Sequence, residues 1–329
     1  MRELKIIKFK KTNAALFILS ISAFLIAVLQ PFGYSPDYTN YEFFFQQVRI
    51  DFLGQLKESR FEPGFIYFSG WLAKIFTSDL LVYGLLVFLS IAVKLFFLKR
   101  FSNNAYYIYL ACIFYAFKFF PLHELTQLRA SLAVSVMMAA LYFVQNEKKA
   151  VGVALCALAF SFHYSSGILF PFLFLPRLSR NMALGLALAV FSTLYLISHY
   201  AVDIASSYFP VFQMYQFSGL GERAINRFSP VFFPEFFMLA FGLYFWKSIN
   251  DGMRHIIAIQ LLGFAILYAF IEFPVVAVRG REFFSVLWTL FIVQASDCKN
   301  KIKFPIYIFV VASITLSLYQ YSYLVFFGR

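Results

Sequence analysis

Residues 12–30 read TNAALFILSISAFLIAVLQ, a run without a single charged side chain. At a rise of 1.5 Å per residue, about 20 such residues cross the ~30 Å hydrocarbon core of a bilayer. The run is continuous and does not alternate apolar with polar, so it predicts a helix and not a barrel strand. It is too long for the core of a cleavable signal, and no small-residue cleavage site follows, so it reads as a first membrane span. Arg2, Lys5, Lys8, Lys10 and Lys11 stand just before it. Lysine and arginine accumulate on the cytoplasmic side, which predicts a cytoplasmic N-terminus.

The same pattern recurs outward from this stretch, at 80–98, 104–121, 127–146, 149–164, 166–176, 181–199, 230–247, 255–273, 278–295 and 304–323. Composition agrees: of 329 residues, 61% are hydrophobic, 22% aromatic and only 13% charged. Soluble chains carry about 25% charge. No polar stretch is long enough to fold alone. The expectation is an all-α, polytopic inner-membrane helical bundle, one domain over 1–329, with about 10–11 transmembrane helices and outer loops near 31–61 and 200–229. The stretch 62–78 is short, opens Glu62-Pro63-Gly64 and contains Gly70 and Lys74, so it reads as a re-entrant or interfacial helix. With that assignment, the basic groups Lys99 and Arg100, Lys148 and Lys149, Arg177 and Arg180, Lys247 and Arg254, and Lys299, Lys301 and Lys303 all fall on the cytoplasmic face. The net charge of +12 is thereby explained by topology, and no nucleic acid partner is expected. Cys112, Cys156 and Cys298 share no metal or redox spacing and read as small hydrophobes.

The opposite face is chemically different. It gathers Asp37, Tyr38, Tyr41, Glu62, His123, Gln127, Arg129, His163, Glu235, Glu272, Arg279, Arg281 and Glu282. Arg129 opens a helix on which Ser131, Ser135 and Ala139 recur every four residues, a stripe that admits a close helix neighbour. It is either an interfacial arginine reaching for water or a planar fork for phosphate. His163, at the outer end of a helix, is either a satisfied interfacial residue or a general base for a hydroxyl acceptor. No second histidine at ligand spacing accompanies it, and neither a metal nor a cofactor is expected. Arg279-Gly280-Arg281-Glu282 runs against the positive-inside trend, as an anion site with its own counter-charge or as a structural ion pair. Glu62 reads equally as a helix-start acid beside Pro63.

Taken in order, Asp37-Tyr38-Thr39-Asn40-Tyr41, Glu62-Pro63-Gly64-Phe65, Gln127-Leu128-Arg129-Ala130-Ser131-Leu132-Ala133, the turn Glu147-Lys148-Lys149 and Phe162-His163-Tyr164-Ser165-Ser166 resemble the EpsG-type branch of the Wzy-like bacterial polysaccharide polymerases. The resemblance is best over residues 30–175. It implies joining of oligosaccharide repeat units carried on undecaprenyl diphosphate at the outer face of the inner membrane, with lipid pyrophosphate as leaving group. On that resemblance, Arg129 with one or both of Arg279 and Arg281 would hold pyrophosphate, and His163 would be the first choice of base. Glu62 and Asp37 would be alternative bases or sugar binders. Tyr38 and Tyr41 would stack on sugar rings, and Gln127 would contact substrate. The partners implied are the undecaprenyl-diphosphate-linked oligosaccharide and membrane lipid, with room for a chain-length regulator. The rival readings are a flippase or transporter for the lipid-linked glycan and an O-antigen ligase-type glycosyltransferase. The absence of an internal repeat and the gathering of polar groups at one face favour an enzyme over a conduit.

Overall fold

A computed structural model describes residues 2–30, 35, 37–102, 104–175, 177–208 and 229–327. Every regular element among them is a helix, and the chain is an all-α, polytopic membrane protein. Among the described residues, six segments are long and apolar enough to cross a bilayer: Thr12–Leu29, Asp79–Phe101, Leu128–Gln145, Arg180–Ser198, Asp251–Ala269 and Asn300–Gln320. Ala105–Lys118, Lys149–Phe162 and Pro230–Tyr244 are apolar but shorter.

The helices fall into two compact units, Met1–Phe170 and Pro171–Arg329. In the first, α1 (Arg2–Leu29) packs along α5 (Asp79–Phe101), and α5 packs on α8 (Leu128–Gln145). The chain then doubles back into α9 (Lys149–Phe162). Glu147 takes a left-handed conformation (φ 62°) at this reversal, and Lys148 donates its N–H to the Phe143 carbonyl. Ser131, Ser135 and Ala139 are all buried, as the small-residue stripe on α8 predicts.

The expected outer loop at 31–61 is largely helical, forming α2 (Tyr38–Ile50) and α3 (Phe52–Glu58). Tyr38, Tyr41, Phe44, Phe45 and Val48 make one buried face at helical spacing. The next segment, 62–78, holds α4 (Pro63–Ile75), whose 13 residues rise only about 20 Å, well short of the hydrocarbon core. Arg49 closes its far end, donating to the Ala73 and Phe76 carbonyls at 2.8 and 3.1 Å and pairing with Asp79 at 2.6 Å. Between α5 and α8 lie α6 (Ala105–Lys118) and the single turn α7 (Phe120–His123).

Two expected crossings are replaced by shorter pieces. Segment 166–176 forms a 3-10 turn at Tyr164–Ile168 and the one-turn α10 (Phe170–Leu173). Gly167 and Pro171 punctuate it, and neither favours a continuous helix. Segment 278–295 is divided between α14 and α15, described below.

In the second unit, α11 (Arg180–Tyr208) lies on α13 (Asp251–Ala269), and α13 on α14 (Pro274–Ser285). The helix α12 (Phe233–Tyr244) lies on α16 (Asn300–Phe327). At the break before α15 (Trp288–Gln294), the Thr289 hydroxyl takes the Val286 carbonyl at 2.7 Å, a back-bond that bends helices. Gly263 admits Phe284 so closely that an added Cβ would sit 2.7 Å from that side chain. Of the expected outer loop at 200–229, α11 covers 200–208, and 209–228 lie outside the described residues.

Candidate functional site

Three of the sequence-predicted residues meet in the first unit. Glu62 stands at the start of α4, with Pro63 in its first turn. Its carboxylate does not cap its own helix. It turns instead to accept from Arg129 Nη1 at 2.5 Å through Oε2, and it meets His163 Nδ1 at 2.8 Å through Oε1. The Tyr164 N–H donates to Oε1 at 3.3 Å.

Each local structure has a reason. Helix α9 stops at Phe162 because His163 is extended, which frees the next backbone N–H to reach Glu62. Gly64 lets α4 approach α9, since a Cβ there would stand 2.8 Å from the Ser161 backbone. Arg129 is in the first turn of α8, and its guanidinium lies over the Phe61 ring, 4.6 Å from the centroid. The buried Tyr41 phenol lies close enough to the same guanidinium to feel its charge. Tyr41 is stacked on Phe61 at 5.8 Å.

Burial alone would push the Glu62 carboxyl up, but the His163 hydrogen bond and the Arg129 charge outweigh it and hold it at about 2. The carboxyl is therefore ionised and can only accept. Nδ1 of His163 then carries the proton of the shared hydrogen bond, so in the neutral imidazole the lone pair is on Nε2. His163 and Arg129 retain 17% and 24% of their side-chain exposure, against 5% for Glu62. The carboxylate is the hidden hinge, and its two partners reach the surface. The Tyr41 phenol is raised, chiefly by burial, and stays neutral.

The remaining predicted residues lie differently. Asp37 precedes the first turn of α2 and is half-buried. Tyr38 is buried edge-on against Tyr83 at 5.2 Å, and Tyr41 is enclosed by Phe61, Phe65 and Tyr83. Neither ring presents a face for a sugar. Gln127 precedes α8, and its Oε1 is buried with no hydrogen-bond partner.

In the second unit, Arg281 is buried and pairs with Glu235, donates to Gln260 Oε1 at 2.7 Å and covers the Phe264 ring at 4.1 Å. Arg279 is more open and faces Glu282 at 3.5 Å. Of the two readings open for this motif, Arg281 takes the structural ion pair.

Sequence reasoning passed over three residues. Tyr164 is half-exposed, follows His163 directly and packs against Phe160 at 5.0 Å, so it offers the open aromatic face that Tyr38 and Tyr41 lack. Lys94 and Glu124 form a fully buried ion pair at 2.7 Å. The signal for Lys94 was present, since an ionisable group inside an apolar run marks function or a partner by default. Among the described residues no three His, Cys, Asp or Glu side chains gather as a metal site.

The fold and this arginine–carboxylate–histidine cluster at a helix end place the chain among many-helix integral membrane proteins. The chain belongs to the EpsG family, whose model matches residues 16–328. Membership assigns it a polymerase-type role in polysaccharide biosynthesis. No curated protein and no solved structure matches it.

Proposed function

We propose that the protein joins oligosaccharide repeat units carried on undecaprenyl diphosphate, at the outer face of the bacterial cytoplasmic membrane, with its N-terminus cytoplasmic. One observation carries the reading: a single ionised carboxylate, Glu62, holds an arginine on one oxygen and a histidine on the other.

The chemistry follows from that geometry. The acceptor hydroxyl of one unit attacks the anomeric carbon of the growing chain, forming a new C–O bond. The bond from that carbon to the diphosphate oxygen breaks, and the lipid diphosphate leaves with the electron pair. His163 Nε2 takes the hydroxyl proton, while Glu62 fixes the tautomer and steadies the resulting imidazolium. Glu62 itself is too weak a base at about 2 to take that proton near neutral pH. Arg129 spends one N–H on Glu62 and keeps others for the charge that develops on the diphosphate. Tyr164 supplies a stacking face for a sugar, and Asp37 and Gln127 remain as sugar contacts. The reaction rests on the first unit alone.

The test is deletion in the native host, with complementation by wild type, Arg129→Ala or His163→Asn at matched membrane levels. Polymerisation predicts loss of the glycan ladder while single lipid-linked units still reach the outer leaflet. Units trapped on the cytoplasmic leaflet would indicate a flippase, and full-length polymer left on its carrier would indicate a ligase. An unchanged ladder with Arg129→Ala removes this site from the mechanism.

A further inference from the structure

The strongest feature outside the site is the Lys94–Glu124 pair, deep in the first unit. Lys94 Nζ donates to Glu124 Oε1 at 2.7 Å, to Ser90 Oγ at 2.6 Å and to Ser131 Oγ at 2.7 Å, with the Ser131 carbonyl at 3.0 Å. Glu124 Oε1 also accepts from Tyr115 at 2.7 Å, and the Glu124 carbonyl accepts from Tyr83 at 3.1 Å. Lys94 is 2% exposed and Glu124 is fully enclosed.

A buried pair of this kind is poorly explained by stability. Desolvating two charges offsets much of their attraction, and well-packed apolar replacements are often neutral or stabilising. Its placement is more informative. Glu124 lies five residues before Arg129 and Ser131 two residues after it, so one ammonium on α5 grips both flanks of the arginine. Tyr83 adds a second hold, tying the Glu124 backbone while its ring rests on Tyr41, 5.9 Å away, which stacks on the Phe61 ring that Arg129 covers. We infer that Lys94 and Glu124 are positioning residues that fix the first turn of α8 and thereby set Arg129 against Glu62 and His163. The link to turnover rests on the function proposed above. Misplacing such a group by 1 Å costs roughly a hundredfold in rate.

Because Glu62 touches both Arg129 and His163, the imidazole reports on the arginine. The chain has four histidines, so ¹⁵N-histidine labelling of the full chain in nanodiscs gives few ring signals, and His163→Asn assigns the one needed. The variant is Lys94→Met/Glu124→Met, which removes both charges together. Expected is wild-type accumulation and melting, with displaced His163 ring signals and a glycan ladder reduced at least tenfold. Unchanged ring signals overturn the inference, whether the ladder is normal or lost. Displaced signals with a normal ladder uphold the positioning and refute polymerisation at this site. If the double variant fails to accumulate, Ser131→Ala decides by the same readings. It deletes one acceptor of Lys94, leaves the ion pair, and must displace the His163 signals.

Discussion

Glu62→Gln isolates the charge that joins Arg129 to His163 while preserving the shape of the side chain. In the folded protein this carboxyl is held at about 2 against an ordinary 4.5. That displacement corresponds to about 3 kcal/mol of preference for the ionised form. Glutamine resembles the protonated acid, so the substitution should forfeit stability of that order. The figure falls at the low end of the roughly 3–5 kcal/mol lost on breaking a fully buried pair. That is reasonable, because Arg129 and His163 keep some contact with solvent. At about 2–4 °C per kcal/mol for a chain somewhat shorter than this one, the midpoint should fall by about 6–12 °C. Tryptophan fluorescence on heating in nanodiscs reads this, beside the glycan ladder of complemented cells. Arg129→Met and the double variant complete a cycle, whose coupling should be about 1–3 kcal/mol for side chains in contact. A wild-type melting point, or strictly additive losses across the cycle, would refute the claim that Glu62 holds the cluster together.

Three further outcomes follow from the same geometry. Gly64→Ala places a Cβ 2.8 Å from the Ser161 backbone, so α4 and α9 must part. Overpacking of this kind costs about 1–3 kcal/mol, and the ladder should shorten along with a lower melting point; normal values for both would show that the close approach is dispensable. Tyr164→Ala should leave melting unchanged, because the ring is half-exposed, yet shorten the polymer. The same polymer length at equal protein level would remove it as a sugar platform. The pH dependence has a defined sign. A carboxyl depressed in the folded state contributes its full stabilisation above about 4.5 and loses it as pH falls toward 2. The gap in melting temperature between wild type and Glu62→Gln should therefore close over that interval and stay constant above it; a gap that changes instead between roughly pH 5 and 8, the range of histidine switching, contradicts the assignment.

Much of the fold was legible because lipid leaves the backbone few options. Long apolar runs such as 12–29 must be helices, and among the described residues six such segments satisfy the length requirement. The errors lie where hydropathy was read without helical phase. Residues 38–58 looked like a loop because Asp37, Asn40, Gln46 and Gln47 break the apolar run. Yet Tyr38, Tyr41, Phe44, Phe45 and Val48 fall on one face. Segment 278–295 looked continuous because the break between Ser285 and Trp288 leaves no mark on composition. In the site, Arg129, His163 and Glu62 were each legible as chemically expensive residues. Their mutual contact was not, because Glu62 stands 67 positions before Arg129 and 101 before His163. Nothing local encodes that reach except Gly64, whose missing side chain lets the helices meet.

The two arginines predicted to hold pyrophosphate show why identity and local charge are insufficient. Arg281 sits in Arg279-Gly280-Arg281-Glu282, where the neighbouring acid invites pairing with Glu282. The structure pairs Glu282 with Arg279 and turns Arg281 inward to Glu235, 46 residues away, and to Gln260. Buried against Phe264 with its counter-ion, Arg281 can release its partner to an anion only by leaving a charge stranded in apolar surroundings. Arg129 shares a carboxylate with an imidazole, keeps a quarter of its side-chain surface and has donors left over. An anion arriving there finds a guanidinium already desolvated on one side and oriented by Glu62, so little ordering is left for binding to supply. The property that separates the arginine proposed for the site from the structural one is unspent donor capacity at an accessible edge. That property is a matter of three-dimensional partners, and in each unit the partner is set by a residue far away along the chain.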